Sequence, residues 1–153
     1  MDESHWMQEA LNEAKIAFEE NEVPIGTVIV LDNKIIGRGH NRTETLKDPT
    51  AHAEIIAISA AANYLNNWRL TDTSVYTTVE PCLMCAGALI LSRIKKLVFS
   101  AHDAKFGACG SVYNIPKDNQ FNHKFDVITN VLEKDSINLL QEFFKRKRND
   151  ISH

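Results

Sequence analysis

The chain has 153 residues, of which 44% are hydrophobic and 24% are charged, and its formal net charge is -3. These values are typical of an ordinary globular protein, and they predict a single domain over residues 1–153. The acidic balance excludes a protein that coats nucleic acid indiscriminately, although a local basic patch is compatible with it. No apolar run is long enough to predict a membrane span, and three cysteines without an apolar leader predict a reducing, cytoplasmic location.

The first part of the chain predicts a helix packed on a β-hairpin. Apolar residues recur every three or four positions over residues 6–18, as in an amphipathic helix. Residues 26–31 and 34–38 are predicted strands joined by a turn at 32–33. Asn41 follows this hairpin and leads toward the next helix, which makes it a candidate substrate contact.

The next predicted helix covers residues 50–65, with Asp48 as a candidate N-cap and Pro49 as a residue that can open a helix. This segment is apolar almost all round, which predicts burial between a sheet and another element. A charged residue near its buried start, Glu54, therefore requires a functional explanation.

The second half of the chain predicts strands that alternate with helices, which indicates a layered α/β domain. The predicted elements are a strand at 75–79, a helix from Pro81 to about residue 94, a strand at 97–99, a loop at 103–111, a strand at 126–131 and a helix at 133–148.

Three residues have the character of metal ligands. Cys82 and Cys85 are three positions apart at a predicted helix start, where free N–H groups and the helix macrodipole favour thiolate. His52 stands near the start of the preceding helix, so two helix N-termini are expected to face one metal ion. Zinc prefers imidazole and thiolate, and three protein ligands leave a fourth position for water, as in catalytic zinc sites.

Glu54 completes a hydrolytic arrangement with these ligands. Zinc lowers the pKa of bound water from about 15.7 to about 7. Glu54 could take the proton from this water and return it to a ring nitrogen and then to a leaving amine. The sequence therefore predicts hydrolytic loss of ammonia from an amidine carbon of a nucleobase.

The segments His52-Ala53-Glu54 and Pro81-Cys82-Leu83-Met84-Cys85 together resemble the signature of zinc-dependent nucleobase deaminases. Further segments resemble bacterial tRNA-specific adenosine deaminases over almost the whole chain; these are residues 48–54, 67–70, 80–88, 92–94, 103–111, 122–123 and 143–146. The resemblance implies a three-layer α/β/α cytidine-deaminase-like fold with a mixed central sheet of about five strands. It also implies a homodimer that converts the wobble adenosine of a tRNA anticodon stem-loop to inosine.

The resemblance also implies individual roles. It makes His52, Cys82 and Cys85 the zinc ligands and Glu54 the proton shuttle. It implies that Asn41 contacts the flipped nucleoside and that the backbone N–H of Ala53 lies near the base. Asp103 and Phe144 correspond to residues that line the groove for the anticodon loop.

The predicted RNA contacts are four basic residues at the end of the last helix, Lys145, Arg146, Lys147 and Arg148. Basic residues are also common at helix C-termini because the macrodipole favours them there. A merely solvated helix end is therefore the alternative interpretation of this run.

Two other functions stay open at this point. A free-base deaminase acting on guanine or cytosine would share the metal signature, although the loop at 103–111 and the ending at 143–148 argue against it. The chain could instead be an inactive, zinc-stabilised RNA-binding subunit in which Cys109 is a fourth ligand. Glu54 argues against this alternative, because a carboxylate buried without purpose is costly.

Overall fold

The computed structural model describes residues 2–151, so Met1, Ser152 and His153 of the predicted domain lie outside the described residues. The fold is a five-stranded sheet, in the order β2-β1-β3-β4-β5, with helices on both faces. The helices are α1 (Glu3–Glu19), α2 (Thr43–Leu46), α3 (Ala53–Leu65), α4 (Leu83–Leu91) and α5 (Glu133–Ile151), and the strands are β1 (Gly26–Leu31), β2 (Lys34–His40), β3 (Ser74–Val79), β4 (Lys96–Ala101) and β5 (Asp126–Ile128).

The sheet is mixed, because β1 runs antiparallel to β2 and β3 whereas β3, β4 and β5 are parallel. Alternate residues of its central strands face opposite sides, as the pleat requires. Val28 and Val98 pack with α1, whereas Ile29 and Leu97 pack on the side of α3 and α4. Helix α5 lies beside α1, against β3 and β4. The predicted three-layer α/β/α architecture with about five strands is confirmed.

The segments that carry the candidate site all lie at one end of the strands of the sheet, which we call the sheet edge. Strands β3 and β4 are parallel, and Val79 pairs with Ala101, so both strands end at this edge. Strand β2 also ends there, because His40 pairs with Gly26 at the start of β1. The loop after each of these strands therefore opens onto the same region, as at the carboxyl edge of other α/β sheets.

Helix α3 lies unusually close to strand β2. A Cβ atom at Gly39 would lie 2.3 Å from the carbonyl oxygen of Ala53, and one at Gly37 would lie 2.5 Å from that of Ala57. Glycine is therefore required by the close approach of the helix rather than by its backbone dihedrals. This contact fixes the first turn of α3 against the end of β2.

The two helix starts differ from the prediction, by three residues in α3 and by two in α4. Helix α3 begins at Ala53, because Asp48 accepts hydrogen bonds from the N–H and hydroxyl of Thr50 and holds a turn there instead of capping the helix. Helix α4 begins at Leu83, so Pro81 precedes the helix rather than opening it.

The predicted ends of two elements, the number of helices and the burial of α3 also need correction. Helix α4 stops at Leu91, because Arg93 adopts left-handed dihedrals, and β5 stops at Ile128, before Asn130 and Leu132 do the same. The four-residue helix α2 was not predicted. Helix α3 was predicted to be buried almost all round, yet the residues of its outer face are half-buried or exposed in the described part of the chain. Part of its apolar surface is therefore left uncovered by the other elements of a single copy.

Among residues 2–151, no helix is both long and apolar enough to cross a bilayer.

Candidate active site

The side chains of His52, Cys82 and Cys85 meet at the sheet edge where α3 and α4 begin. His52 is the N-cap residue of α3 and Cys82 that of α4, yet neither side chain caps its helix with a hydrogen bond. The Nδ1 atom of His52 instead lies 3.6 Å from Sγ of Cys82 and 3.5 Å from Sγ of Cys85. The two helix N-termini therefore converge, as predicted.

This cluster has the donor set and spacing of a metal site. Its three ligand atoms all lie within 4.8 Å of one another. Tetrahedral zinc, with bonds of about 2.05 Å to nitrogen and about 2.3 Å to sulfur, requires nitrogen and sulfur to lie about 3.6 Å apart. The distances from His52 to the two sulfur atoms match this requirement, so the donor set and its spacing fit a zinc ion.

Only one of the two thiols is shifted toward the thiolate form in this arrangement. Hydrogen bonds from the Cys85 thiol and from His52 lower the pKa of Cys82 to about 4 against the opposing effect of burial. The bond to Cys82, together with burial and the charge of Glu54, raises the pKa of Cys85. His52 has a raised pKa chiefly because it donates to Cys82. Two adjacent thiolates repel each other, so a divalent cation is what would allow both to ionise.

Glu54 lies in the first turn of α3, directly beside this cluster. Its side chain is 4% exposed, and it contacts the Cys85 thiol. Burial raises the pKa of Glu54 to about 7. A carboxyl group with such a pKa can both accept and release a proton near neutral pH, which is the property required of a general acid and base.

Next to Glu54 opens a pocket of about 540 Å³, within the usual size range for small-molecule sites. It brings together two metal-ligand candidates, Glu54 and all four predicted substrate-binding residues. The lining residues are Val23, Ile25, Asn41, Thr43, His52, Ala53, Glu54, Val79, Glu80, Cys82, Asp103, Phe106 and Phe144.

The predicted substrate-binding residues present different groups to the pocket. Asn41 makes two long hydrogen bonds of 3.4 Å, donating to the Val23 carbonyl and accepting from the Thr43 N–H. Ala53 is the first residue of α3, where N–H groups have no carbonyl partner within the helix. Asp103 uses Oδ1 to hold the turn that follows it, and Phe144 offers an exposed ring from α5.

The four basic residues at the end of α5 are not equivalent. Arg146 stacks over the ring of Phe18 at 4.2 Å and donates to the Phe18 carbonyl oxygen at 3.0 Å. Lys147 lies 5.6 Å from the centre of the Phe143 ring. Arg146 therefore joins α5 to α1, Lys147 contacts a ring of its own helix, and Lys145 and Arg148 are exposed.

Cys109 is not part of the group of candidate metal ligands among the described residues, which contains only one histidine and two cysteines. Its side chain is buried, and burial raises the pKa of its thiol. This arrangement disagrees with the closed site in which Cys109 supplies a fourth ligand.

Sequence reasoning missed Glu80 and Phe106 as pocket residues. Phe106 is 69% exposed although it lies on a loop at the pocket, and its sequence context gives no periodic signal. Glu80 does have a signal, because a charged residue follows directly on a buried strand. Burial opposes ionisation of Glu80, but hydrogen bonds from Ser111, Asp103 and Cys109 outweigh it and lower the pKa of this carboxyl group.

Comparison with known proteins assigns the chain to a family. The model of the MafB19-like deaminases matches residues 1–148. A tRNA-specific adenosine deaminase of Aquifex aeolicus is 48% identical over 151 residues, which cover 99% of this chain and 99% of that protein. The chain belongs to the tRNA-specific adenosine deaminase family.

Solved structures agree with this family assignment. A structure from a study of A-to-I editing by tRNA:A34 deaminases at the wobble position superposes with a TM-score of 0.86 and is 43% identical, covering 90% of this chain and 99% of that chain. A guanine deaminase of Bacillus subtilis superposes with a TM-score of 0.65 and is 36% identical, covering 70% of this chain and 72% of that chain. The fold of the family is thus shared with deaminases of free bases.

Proposed function

We propose that this chain is a zinc-dependent deaminase domain that converts the wobble adenosine of a tRNA anticodon to inosine. The observation that supports it best is the meeting of His52, Cys82 and Cys85 beside a buried glutamate in one pocket. The 48% identity to a tRNA-specific adenosine deaminase over nearly the whole chain favours this substrate over a free base.

His52, Cys82 and Cys85 would hold the metal ion. When bound, zinc supplies the acidity that makes water a nucleophile near neutral pH. One side of the three-residue cluster faces the pocket, because His52 and Cys82 form part of the pocket wall. Both helix N-termini place unpaired N–H groups around the same point, which stabilises the thiolates.

Glu54 would carry the protons of the reaction. Its carboxylate takes a proton from the attacking water and delivers it to N1 of adenine. It then takes the proton of the hydroxyl group now on C6 and gives it to the amino group, which leaves as ammonia when the C6–N bond breaks. Overall, adenosine and water are converted to inosine and ammonia. Its buried position keeps the pKa near neutrality, so both transfers are accessible at the same pH.

Asn41 and Ala53 would orient the base and its sugar. The Asn41 amide has a second N–H and further lone pairs beyond the two bonds it makes, so it can bind a substrate polar group. The Ala53 N–H can donate to the ring. Asp103 and Phe144 stand at the wall and rim of the pocket, where they would contact the nucleotides next to the flipped adenosine.

The end of α5 would bind the RNA backbone. Lys145 and Arg148 are exposed on the helix that also carries Phe144 to the pocket, so their charges lie near the substrate entrance. Arg146 and Lys147 would add to the positive potential while they pack against aromatic rings. The formal net charge of -3 makes this local arrangement necessary for RNA binding.

The family resemblance implies a homodimer, and we also propose, from the exposed apolar residues of α3 and α4, that two copies associate through these helices. Leu83 and Leu91 are exposed on α4, with Leu91 at 70%, and they lie on one face with Gly87 between them. The half-buried outer face of α3 is the neighbouring surface. Exposed apolar patches of this kind mark association sites.

In light scattering, Leu91→Glu should give a monomer, whereas Ile16→Glu, an exposed apolar position on α1, should leave a dimer. A Leu91→Glu dimer would exclude this face.

A cytoplasmic location is part of the proposal, since tRNA is the substrate. The free-base alternative keeps some support, because a guanine deaminase shares the fold at 36% identity. The inactive-subunit alternative has less support, because the cluster formed by the described residues does not include Cys109 and a buried glutamate, Glu54, lines the pocket next to it.

The test is a substrate panel read by nucleoside mass spectrometry. The metal-loaded protein is incubated with an anticodon stem-loop that carries adenosine at the wobble position, with the same RNA carrying guanosine there, and with free guanine, cytosine and adenine. We expect inosine from the first RNA only. Deamination of a free base without inosine in the RNA would instead establish the free-base reaction.

A further inference from the structure

Glu80 is a buried carboxylate that the proposed chemistry does not use. Its side chain is 3% exposed, and it stands between the last residue of β3 and Pro81. Oε1 accepts from the N–H of Asp103 at 3.0 Å and from the hydroxyl of Ser111 at 2.5 Å. Oε2 accepts from the N–H groups of Cys109 and Ser111, both at 3.0 Å.

These bonds use the full capacity of the carboxylate. An ionised carboxyl group has about four lone-pair positions, and four donors from the loop occupy them. Glu80 is therefore unsuited to take a proton from substrate. Charge-assisted bonds to backbone N–H groups are among the stronger hydrogen bonds in proteins, so their effect is to hold the loop.

The loop held in this way is the pocket wall at residues 103–111. It contributes Asp103 and the exposed Phe106 to the pocket. The same segment is attached to the metal-ligand stretch, because Ala108 donates to the Pro81 carbonyl at 2.8 Å. A Cβ atom at Gly107 would lie 2.3 Å from Cδ of Glu80, so the loop closes tightly around the carboxylate.

We propose that Glu80 is a positioning residue that fixes the 103–111 wall and thereby sets how the enzyme recognises the nucleotides beside the target base. This inference rests on the proposed function for its substrate, but not for its effect on the loop. Exposed aromatic side chains such as Phe106 are natural stacking surfaces for unpaired bases. A wall held in place by Glu80 presents that ring in one position.

Glu22 offers a matched control at a different part of the pocket wall. Its carboxylate is also buried, and it accepts from the N–H of Glu44 at 3.2 Å and from the N–H and hydroxyl of Thr45, both at 2.6 Å. These bonds hold α2, which begins at the pocket residue Thr43 and lies two residues after Asn41. Glu80 and Glu22 thus perform the same task for two different walls.

The first test is hydrogen exchange by mass spectrometry on the metal-loaded protein without RNA. In Glu80→Gln, an amide N–H group replaces one acceptor oxygen, so amides in residues 103–111 should exchange at least about 10-fold faster and those in 41–46 should not change. Glu22→Gln should show the reverse pattern. Ser111→Ala removes a single donor and should give a smaller increase in the same loop. Unchanged exchange at 103–111 in Glu80→Gln and Ser111→Ala would overturn the proposal.

The second test uses deamination of the wobble-adenosine stem-loop. Glu80→Gln should raise KM about 10-fold, keep kcat within about threefold of wild type and retain the metal. In the Glu80→Gln background, adding Phe106→Ala should raise KM little further, because the two residues act through the same loop. In the Glu22→Gln background, adding Phe106→Ala should raise KM by the same factor as it does in wild type. A fall in kcat with unchanged KM, or loss of metal, would place Glu80 in the chemistry or the metal site instead. An inactive wild type would refute the proposed substrate, while the exchange test would still decide the role of Glu80.

Discussion

Gly39→Ala should damage catalysis more than it damages the fold. The new Cβ atom would lie 2.3 Å from the Ala53 carbonyl oxygen and 2.7 Å from the Ala57 nitrogen, whereas real Cβ contacts essentially never fall below 3.0 Å. Relief requires the first turn of α3 to move away from β2 by about 0.7 Å, the difference between 3.0 and 2.3 Å. That turn carries Glu54 and follows directly on His52.

The magnitude follows from this shift. A displacement of about 1 Å in a catalytic group can cost about 100-fold in rate, so we expect Gly39→Ala to lower kcat by roughly 10- to 100-fold. Gly37→Ala is the control, because its Cβ would meet the same helix one turn later, at 2.5 Å from the Ala57 carbonyl oxygen. Overpacking should cost each variant about 1–3 kcal/mol of unfolding free energy.

The assay measures inosine formation at saturating stem-loop and divides the rate by the folded fraction from urea unfolding. Gly37→Ala should then stay within about threefold of wild type. If both variants lose activity equally per folded molecule, or if Gly39→Ala is destabilised but fully active, the sheet contact does not set the position of the catalytic turn.

Three further changes test other parts of the account. Cys109→Ala should leave the metal content unchanged in elemental analysis, whereas metal loss would make Cys109 a ligand. Reversing Lys145 and Arg148 to Glu should weaken stem-loop binding and reduce the salt slope by roughly 0.7–0.9 per lost phosphate contact, and an unchanged slope would remove them from the interface. Although burial opposes it, hydrogen bonds from Thr45 and Glu44 lower the pKa of Glu22. The stability that this provides is present above the unfolded-state pKa of about 4.3 and is lost as pH falls through the lower folded value. Glu22→Gln should therefore be less stable than wild type in urea at pH 7, and a gap that did not narrow toward pH 3 would contradict this linkage.

The architecture and the grouping of the three candidate metal ligands could be predicted, because strong local signals specify them. Short runs with β-branched residues, bounded by turn signals, predicted the strands, and the ligand types at two helix starts indicated one site. The start of α3 could not be predicted, because an aspartate such as Asp48 can cap a helix or hold a turn, and here its hydrogen bonds to Thr50, two residues further on, form the turn.

The walls of the pocket were harder to predict for a different reason. Glu80 and Phe106 owe their positions to loop contacts between residues up to 31 positions apart, such as the bond from Ser111 to Glu80. Arg146 was predicted to contact RNA because of its charge, yet its contact with Phe18 spans 128 positions. Long-range contacts of this kind leave no periodic trace in the sequence.

The most direct test of the central claim is the amount of inosine that metal-loaded Glu54→Gln forms in the wobble-adenosine stem-loop, measured by nucleoside mass spectrometry. Glutamine preserves the size of the side chain but cannot carry the proton, so the rate should fall at least about 100-fold while the metal is retained. Inosine formation within a few fold of wild type, with the metal in place, would contradict the account.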